Sequence, residues 1–314
     1  MTVFIFRRLA FVVLTVFLSS ILVFAATHVL PGDVATMVLG REASEQAKEN
    51  LREELGLNKP VVQQYGSWLN NLFHGDWGTS ISTGADVRAI TLERLRNSIM
   101  LAFVAFIMYV PFGIFLGVIA AWRRGKSADH VLSVGSLAFI GLPEFVTANL
   151  LIAVFSRWLG WLPSSSAISP DSGFVEAFPS LLLPAMTVSL VSLAYVLRMT
   201  RASTVEVLQT DYVRTARLKG LPLSTIMFRH VLRNSLLPTI TVVAAGIGWL
   251  IGGLIITESV FGYPGLGRLV LFAVQRRDIP LIEATTMLIV TFYALANLAA
   301  DILYAVLNPR IRYR

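Results

Sequence analysis

The sequence predicts an all-α membrane protein with six transmembrane helices and both termini on the cytoplasmic side. Hydrophobic residues make up 55% of its 314 residues and charged residues only 14%, a composition typical of polytopic membrane proteins. Six apolar runs approach or exceed the roughly 20 helical residues that cross a hydrocarbon core. Because these runs are continuous and do not alternate, they exclude transmembrane β-strands.

The apolar runs define both the spans and the division of the chain. The predicted spans are Leu9–Leu30, Ser98–Trp122, Val131–Phe155, Leu181–Met199, Leu236–Thr257 and Ala284–Leu307. The first run follows Arg7 and Arg8, but it is longer than the apolar core of about 7–15 residues in signal peptides, so we expect a retained anchor. Three parts result: the tail and first span in 1–30, an extracytoplasmic helical insert in 31–97, and a core domain in 98–314 with five spans.

Charge assigns these segments to the two sides of the membrane. Arginine and lysine are concentrated in the segments predicted to be cytoplasmic, whereas most of the acids fall in the outer segments. The net charge of +7 is therefore explained by a cytoplasmic excess and requires no nucleic-acid partner. The chain has no cysteine, which excludes disulfides and thiolate metal sites.

The outer insert has two helical patterns. One covers Glu45–Leu55, and the other runs from Pro60 to about His74, where Gly75 ends it. A turn cluster around Trp77 follows. We interpret the insert as a cap that packs on the membrane face, and direct contact with a substrate is the alternative.

A second outer segment, 258–283, follows the fifth span. Its Tyr263-Pro264-Gly265 turn is succeeded by apolar residues at helical spacing, over a length too short to span the membrane. The pattern predicts an amphipathic helix across the external mouth. This helix either lies on the membrane surface without a further role, or it has a function as an external gate or a docking surface.

The cytoplasmic segment 200–235 carries the strongest site signal. Its apolar residues repeat at helical spacing in one stripe, Val205, Leu208, Tyr212 and Ala216, with Arg214 and Arg217 beside it. Gly220 and Pro222 end the predicted helix. Small residues at 215, 216 and 220 would let this helix sit deep in the groove of a partner protein. A basic amphipathic helix lying on anionic lipid is the alternative.

The sequence lacks a nucleotide site of its own. The segment Ala120–Ser127 contains Gly125-Lys126-Ser127, but Ala120 stands where a phosphate-binding loop needs glycine, and a membrane span precedes it in place of a strand. Any ATP must therefore be hydrolysed on another polypeptide. No metal-binding spacing and no nucleophile–base pair stands out, so we expect a non-enzymatic subunit with no metal and no cofactor in this chain.

Carboxylates within the predicted spans could in principle couple transport to an ion. Glu144 follows Pro143 in the third span, and Asp301 lies four residues after Asn297 on one face of the sixth. We interpret both acids as polar contacts in the bundle, with ion binding as the alternative. Two rival functions stay open at this point: an ion-coupled secondary transporter that uses Glu144 and Asp301, and a non-transporting scaffold that recruits a cytoplasmic enzyme.

The motif Arg214–Gly220, RTARLKG, resembles the coupling motif of ABC importer permeases, Glu-Ala-Ala followed by three residues and Gly. Ala216 and Gly220 match that motif, whereas Arg214 and Thr215 replace its Glu and Ala. Leu237-Pro238 resembles the downstream Leu-Pro of the dipeptide/oligopeptide/nickel branch. Further segments resemble that branch in the same order, namely LPGD at 30–33, HGDWGTS at 74–80, GLPEF at 141–145, ESVFGYPGLG at 258–267, RRDIP at 276–280 and NLAADILYAVLNPRIR at 297–312.

The resemblance implies a type I ABC importer permease fold in a bacterial or archaeal inner membrane. It also implies partners: a second homologous permease, expected to be non-identical, two cytoplasmic ABC ATPases that hold ATP and Mg, and an extracytoplasmic solute-binding protein. The residues expected to couple to the ATPases are Asp211, Tyr212, Arg214, Thr215, Ala216, Arg217, Lys219, Gly220 and Leu221. Candidates for a gate or path are Glu144, Glu258, Pro264, Gly265, Asn297 and Asp301. The solutes carried in this branch include dipeptides, longer peptides, nickel complexes, glutathione, and opine or sugar conjugates.

Overall fold

The computed structural model describes residues 2–29, 36, 39–40, 42–54, 58–167 and 173–307. This part of the chain is helical, with one isolated β-bridge between Thr79 and Asp86. Its helices are α1 Thr2–Val29, α2 Glu45–Glu54, α3 Val61–His74, α4 Val87–Trp122, α5 Ser127–Gly141, α6 Glu144–Leu151, α7 Phe174–Leu208, α8 Asp211–Leu218, α9 Leu223–Thr225, α10 Leu232–Phe261, α11 Leu266–Arg276 and α12 Ile279–Leu307. π-Helical segments at Ile152–Trp158 and Ile226–Val231 continue α6 and α9.

Four of these helices, α1, α4, α7 and α12, are individually long and apolar enough to cross a membrane. The number rises to six when two bent pairs each count as one span: α5 with α6 and its π-helical continuation, and the end of α10 from Gly253 with α11. The fifth predicted span lies within α10. Leu30, the LPGD motif and the tail beyond Leu307 fall outside the described residues.

Helix α4 begins well before the span predicted at Ser98. It starts at Val87, where Asp86 caps it by accepting a hydrogen bond from the Ala89 N–H at 2.8 Å. The predicted boundary between residues 97 and 98 therefore falls inside a continuous helix, and the end of the insert is rigidly joined to the core.

The third predicted span, Val131–Phe155, is wrong as a single helix. Helices α5 and α6 meet at Leu142-Pro143 with a bend of 112°. Pro143 has no N–H and disfavours helical backbone in the residue before it, and Leu142 accordingly has φ −82° and ψ 129°. The pair still reaches the outer side, because Ser166 beyond it donates its backbone N–H to the Phe261 carbonyl at 2.8 Å.

The central core lies between α4, α7 and α10, and two glycines allow its closest approach. A Cβ added at Gly117 would lie 2.6 Å from Thr200 Cβ, and one at Gly113 would lie 2.8 Å from Val196 Cγ1. A small residue at each of these positions, four apart, lets α4 and α7 pack backbone to backbone, as in other membrane helix pairs. Helix α7 is therefore fixed firmly where it leads into α8.

Candidate functional site

The segment predicted to couple to the ATPases, 211–221, contains a separate helix, α8, packed on its own hydrophobic cluster. Val213 and Ala216 are buried against Ile226, Met227 and Val231. The predicted stripe from Val205 to Ala216 is not continuous, because α7 ends at Leu208 and α8 starts again at Asp211. Ala216 packs inward in this cluster, so within the motif it contributes to the packing of α8.

Gly220 ends α8 through its backbone conformation. Its φ of +75° is left-handed, its N–H bonds to the Arg217 carbonyl at 2.9 Å, and the Leu221 N–H bonds to the Ala216 carbonyl at 3.3 Å. This pair of bonds is a Schellman motif, which favours glycine at this position. No atom lies within 4 Å of a Cβ added there, so the glycine is required by φ and not by a neighbour in this chain.

The other face of α8 is exposed and basic. Leu218 is 81% exposed, and no ion pair within the described residues involves Arg214, Arg217 or Lys219. The exposed residues of this face are Asp211, Arg214, Thr215, Arg217, Leu218 and Lys219. An apolar side chain surrounded by unpaired cations is suited to a protein partner that carries acidic groups.

Tyr212 holds α8 to the next part of the chain. Its hydroxyl accepts a hydrogen bond from Asn234 Nδ2 at 2.9 Å and donates to the His230 carbonyl at 3.3 Å. Tyr212 is therefore an anchor of α8 as much as a part of its exposed face.

An ion pair that the sequence analysis treated only as two charges fixes the cytoplasmic end of α7. Arg201 Nε and Nη2 contact the two carboxylate oxygens of Asp129 at 2.5 and 2.8 Å, and the Gly125 N–H donates to the same carboxylate at 3.0 Å. Asp129 is buried. The bond joins the start of the bent span to the helix that continues into α8. The only local feature of the sequence that indicates this ion pair is Asp129 itself, an acid near the start of α5 in an otherwise basic loop.

At the outer end, Glu258 organises the turn before α11. Its side chain is fully buried and accepts hydrogen bonds from Ser98 Oγ at 2.5 Å and from the Arg268 N–H at 3.1 Å. A carboxylate at a helix N-terminus is favoured by the exposed N–H groups there. Because Glu258 is buried, it holds α11 in place and does not itself present a surface to a partner.

The turn at Tyr263-Pro264-Gly265 also packs on the Glu258 carboxylate. The Pro264 carbonyl accepts a hydrogen bond from Asn97 Nδ2 at 2.8 Å, and Tyr263 donates its hydroxyl hydrogen to the Asn97 carbonyl at 2.7 Å. Gly265 lies so close to the Glu258 carboxylate that a Cβ there would overlap it. The start of α4, the turn and α11 thus form one unit at the external mouth, and sequence reasoning missed Asn97 and Ser98 as its members.

Glu144 lies at the bend of the third span and faces α10. It accepts a hydrogen bond from Thr257, and Gly253 leaves room for its carboxylate. It also lines a cavity of about 130 Å³ together with Ile140, Leu142, Thr187, Val188, Val191, Ser192, Leu250 and Gly253. Glu144 is therefore a path candidate that borders a cavity.

The two candidates on α12 have local partners. Asp301 forms an ion pair with Arg8 Nη1 at 2.8 Å, which ties α12 to α1. Asn297 donates to the carbonyl of Tyr293, one turn back on the same helix, at 3.0 Å. The ion pair favours a bundle contact for Asp301 over an ion-binding role.

A buried aspartate joins the insert to the last span. Asp278 accepts hydrogen bonds from Ser80 Oγ and Ser82 Oγ, both at 2.6 Å, and from the Leu281 N–H at 3.3 Å. Burial raises the pKa of Asp278, but the bonds from the serines outweigh it and lower the pKa below the ordinary value of about 3.8. Both segments were predicted on the outer side, and this contact agrees with that topology.

A lowered pKa makes this link sensitive to acid. The carboxylate stabilises the folded chain above about pH 4 and loses this effect as the pH falls through its folded pKa. We expect Asp278→Asn to lower the free energy of unfolding by about 1.5–3 kcal/mol at pH 7. Below about pH 4 the difference from wild type should shrink. Thermal unfolding of both proteins in detergent between pH 7 and 3 measures it, and a difference that does not change with pH would contradict this assignment.

These features define a multi-pass membrane protein with a rigid helical core and a basic helix exposed on the cytoplasmic side. The family model of the binding-protein-dependent transport system inner membrane component matches residues 113–313, and the model of the N-terminal region of that transport-system component matches residues 1–89. The chain belongs to this family of ABC importer permeases and is a multi-pass inner-membrane protein.

Relatives match over the whole chain. The probable peptide ABC transporter permease protein y4tP of Sinorhizobium fredii is 38% identical over 313 residues and is covered completely, as is this chain. The glutathione transport system permease protein GsiC of Escherichia coli strain K12 is 37% identical over 311 residues, 99% of each chain. A crystal structure of an amino acid ABC transporter with histidines matches with a TM-score of 0.49 at 19% identity. The match covers 71% of this chain and 94% of the chain in that structure.

Proposed function

We propose that this chain is a permease subunit of an ATP-driven importer that carries peptides or a related small solute such as glutathione. The observation that carries the proposal is α8, a helix with a buried apolar face and an exposed basic face around Leu218. Two relatives at 37–38% identity over the full length are named for peptide and glutathione transport, which supports the solute class.

The permease acts within a complex. We infer a second, non-identical permease, two cytoplasmic ATPases that hold ATP and Mg, and an extracytoplasmic binding protein that delivers the solute. In this assignment the chain supplies no catalytic residue, and its role is to turn movement of the ATPases into opening of a path.

The contacts around α8 suggest how that movement passes into the membrane. Val213 and Ala216 fix α8 to the segment that continues into α10, and the Asp129–Arg201 ion pair fixes the end of α7 to the bent span. A force on α8 would therefore move these helices together as a rigid body. Glu258 lies near the outer end of α10 and would carry the displacement to the external mouth.

Reconstituted uptake tests the proposal. The complex is placed in proteoliposomes with the binding protein outside and ATP inside, and accumulation of a labelled dipeptide or of glutathione is measured. We expect uptake that requires ATP and survives ionophores that collapse proton and sodium gradients. Uptake that is abolished by the ionophores and indifferent to ATP would instead support an ion-coupled carrier that uses Glu144.

Gly220 allows a direct test of the end of α8. A tryptophan there would take up a left-handed backbone conformation that costs about 1–2 kcal/mol, and it would project beside the exposed face. We expect Gly220→Trp to uncouple ATP hydrolysis from uptake. Gly220→Asn is the matched control, because asparagine tolerates this conformation and should retain coupling. Normal uptake per ATP in the tryptophan variant would contradict the role of this residue.

A further inference from the structure

A groove between α1, α3 and α12 contains two adjoining cavities, whose lining includes neither α8 nor Glu144 nor Glu258. The outer one has a volume of about 320 Å³ and the deeper one about 460 Å³, and both are lined by Leu72, Trp77 and Ala284. We call the pair the α1–α12 groove. Its outer part lies at the level of the insert, on the predicted extracytoplasmic side.

The polarity of the groove changes along its length. The deeper part is lined almost entirely by apolar side chains, among them Val12, Val13, Val16, Phe17, Leu288 and Met287. The outer part combines aromatic rings with acidic and basic side chains, namely Phe24, Trp68 and Trp77 with His28, Lys59, Asp76 and Glu283. An apolar end followed by an aromatic and charged end reproduces the profile of one membrane leaflet and its interface.

The length of the groove also fits one leaflet. Val12 and His28 mark its ends on α1, which at 1.5 Å per residue is about 24 Å, and Ile279 and Thr291 on α12 give about 18 Å. A leaflet with its headgroup layer is roughly 20–22 Å thick, half of a bilayer of about 40–45 Å.

The outer part offers one buried carboxyl group. Glu283 is only 5% exposed, and Thr27 Oγ1 donates to its Oε1 at 2.7 Å. It lies among the aromatic rings, where Phe24 and Trp68 have their centroids 5.6 Å apart. A carboxylate beside aromatic faces is suited to an ammonium group, which both attract.

The rim of the same part carries the basic side chains of His28 and Lys59. His28 Nδ1 bonds to the Phe24 carbonyl and Nε2 bonds to Gln64 Oε1, each at 3.0 Å. The amide of Gln64 is oriented by its Nε2, which donates to the Lys59 carbonyl at 2.8 Å. These bonds hold the imidazole of His28 in place at the rim. Lys59 supplies a cation there.

We propose that the α1–α12 groove is a binding site for one amine-bearing phospholipid of the outer leaflet. Glu283 accepts hydrogen bonds from the lipid ammonium, and the Lys59 ammonium on the rim pairs with the phosphate. An acyl chain fills the deeper part beside Val13 and Leu288. The lipid would fix the first span and α3 against α12, since those elements form the walls of the groove.

Native mass spectrometry of the purified complex tests this site. The complex is exchanged into detergent with equal amounts of phosphatidylethanolamine and phosphatidylglycerol, and the phospholipids retained by the full-length chain are identified and counted. We expect one retained phosphatidylethanolamine in wild type. Glu283→Gln should reduce the preference over phosphatidylglycerol about tenfold, the effect of losing one charge-assisted hydrogen bond. Glu176→Gln, at an exposed carboxylate on the same side, should retain it.

A second pair of variants tests the deeper part. Val13→Trp fills the groove from its exposed wall and should remove the bound lipid, whereas Leu14→Trp, one residue along α1 and outside the groove, should not. Both positions are largely exposed, so neither change should unfold the chain. Equal retention of the two phospholipids by wild type would overturn the proposal. Binding unaffected by both Glu283→Gln and Val13→Trp would overturn it too, and so would displacement by a partner subunit that occupies the groove.

Discussion

Replacing Leu218 by aspartate is expected to abolish uptake and to release the ATPases while leaving the permease folded. Leu218 is 81% exposed, so the change removes almost no contact within this chain. In the proposed complex the same side chain would face a partner that carries acidic groups, and burying a carboxylate against them costs about 2–4 kcal/mol. We expect the affinity for the ATPases to fall at least about thirtyfold. Pull-down of the ATPases with the tagged permease measures it.

Two controls separate docking from folding. Leu218→Met keeps the apolar contact and should retain ATPase binding. Val213→Asp lies on the buried face of the same helix and should destabilise the permease itself. If Leu218→Asp still binds the ATPases with wild-type affinity, the exposed face of α8 is not the docking surface.

Replacing Glu258 by alanine is expected to cause the largest loss of stability. The change removes a fully buried acceptor from Ser98 and from the start of α11, and it leaves their donors without a partner. Loss of one member of a buried charged network typically costs about 3–5 kcal/mol. Thermal unfolding in detergent should show a clear decrease for Glu258→Ala and little change for Glu176→Ala, whose carboxylate is exposed.

Gly265 approaches the same network from the other side. A Cβ at Gly265 would overlap the Glu258 carboxylate, so Gly265→Ala should reproduce the effect of Glu258→Ala on unfolding. Gly135→Ala is the matched control, because nothing lies within 4 Å of its added Cβ. A Glu258→Ala protein as stable as wild type would contradict the role of this carboxylate in holding α11.

Much of the fold follows from local patterns in the sequence. Long apolar runs predict the spans, and the helices at Glu45–Glu54 and Val61–His74 begin and end close to their predicted bounds. Gly75 ends α3 with φ +84°, and the Tyr-Pro-Gly turn precedes α11 as expected. These elements are predictable because a cap, a turn residue or a periodic face specifies each of them within a few positions.

The errors have equally physical causes. The apolar run of the third span conceals its break, although Pro143 is the residue that produces it. Residues that are far apart along the chain but meet in the fold are not visible in local patterns. Asp278 contacts Ser80 and Ser82, which precede it in the sequence by 198 and 196 residues. Arg201 contacts Asp129, which precedes it by 72 residues. Such partners can be recognised only once the helices are packed.

Docking of α8 to cytoplasmic ATPases is the central interaction of the proposed function. A tagged chain is purified in mild detergent with everything that remains bound, and the companions are identified by mass spectrometry and assayed for ATP hydrolysis. The predicted result is that the wild-type chain is recovered with a second permease and with one or two kinds of P-loop ATPase, and that the preparation hydrolyses ATP. The Leu218→Asp preparation should lack the ATPases and their activity. A chain that is recovered alone or only with copies of itself, without ATPase activity, would contradict it.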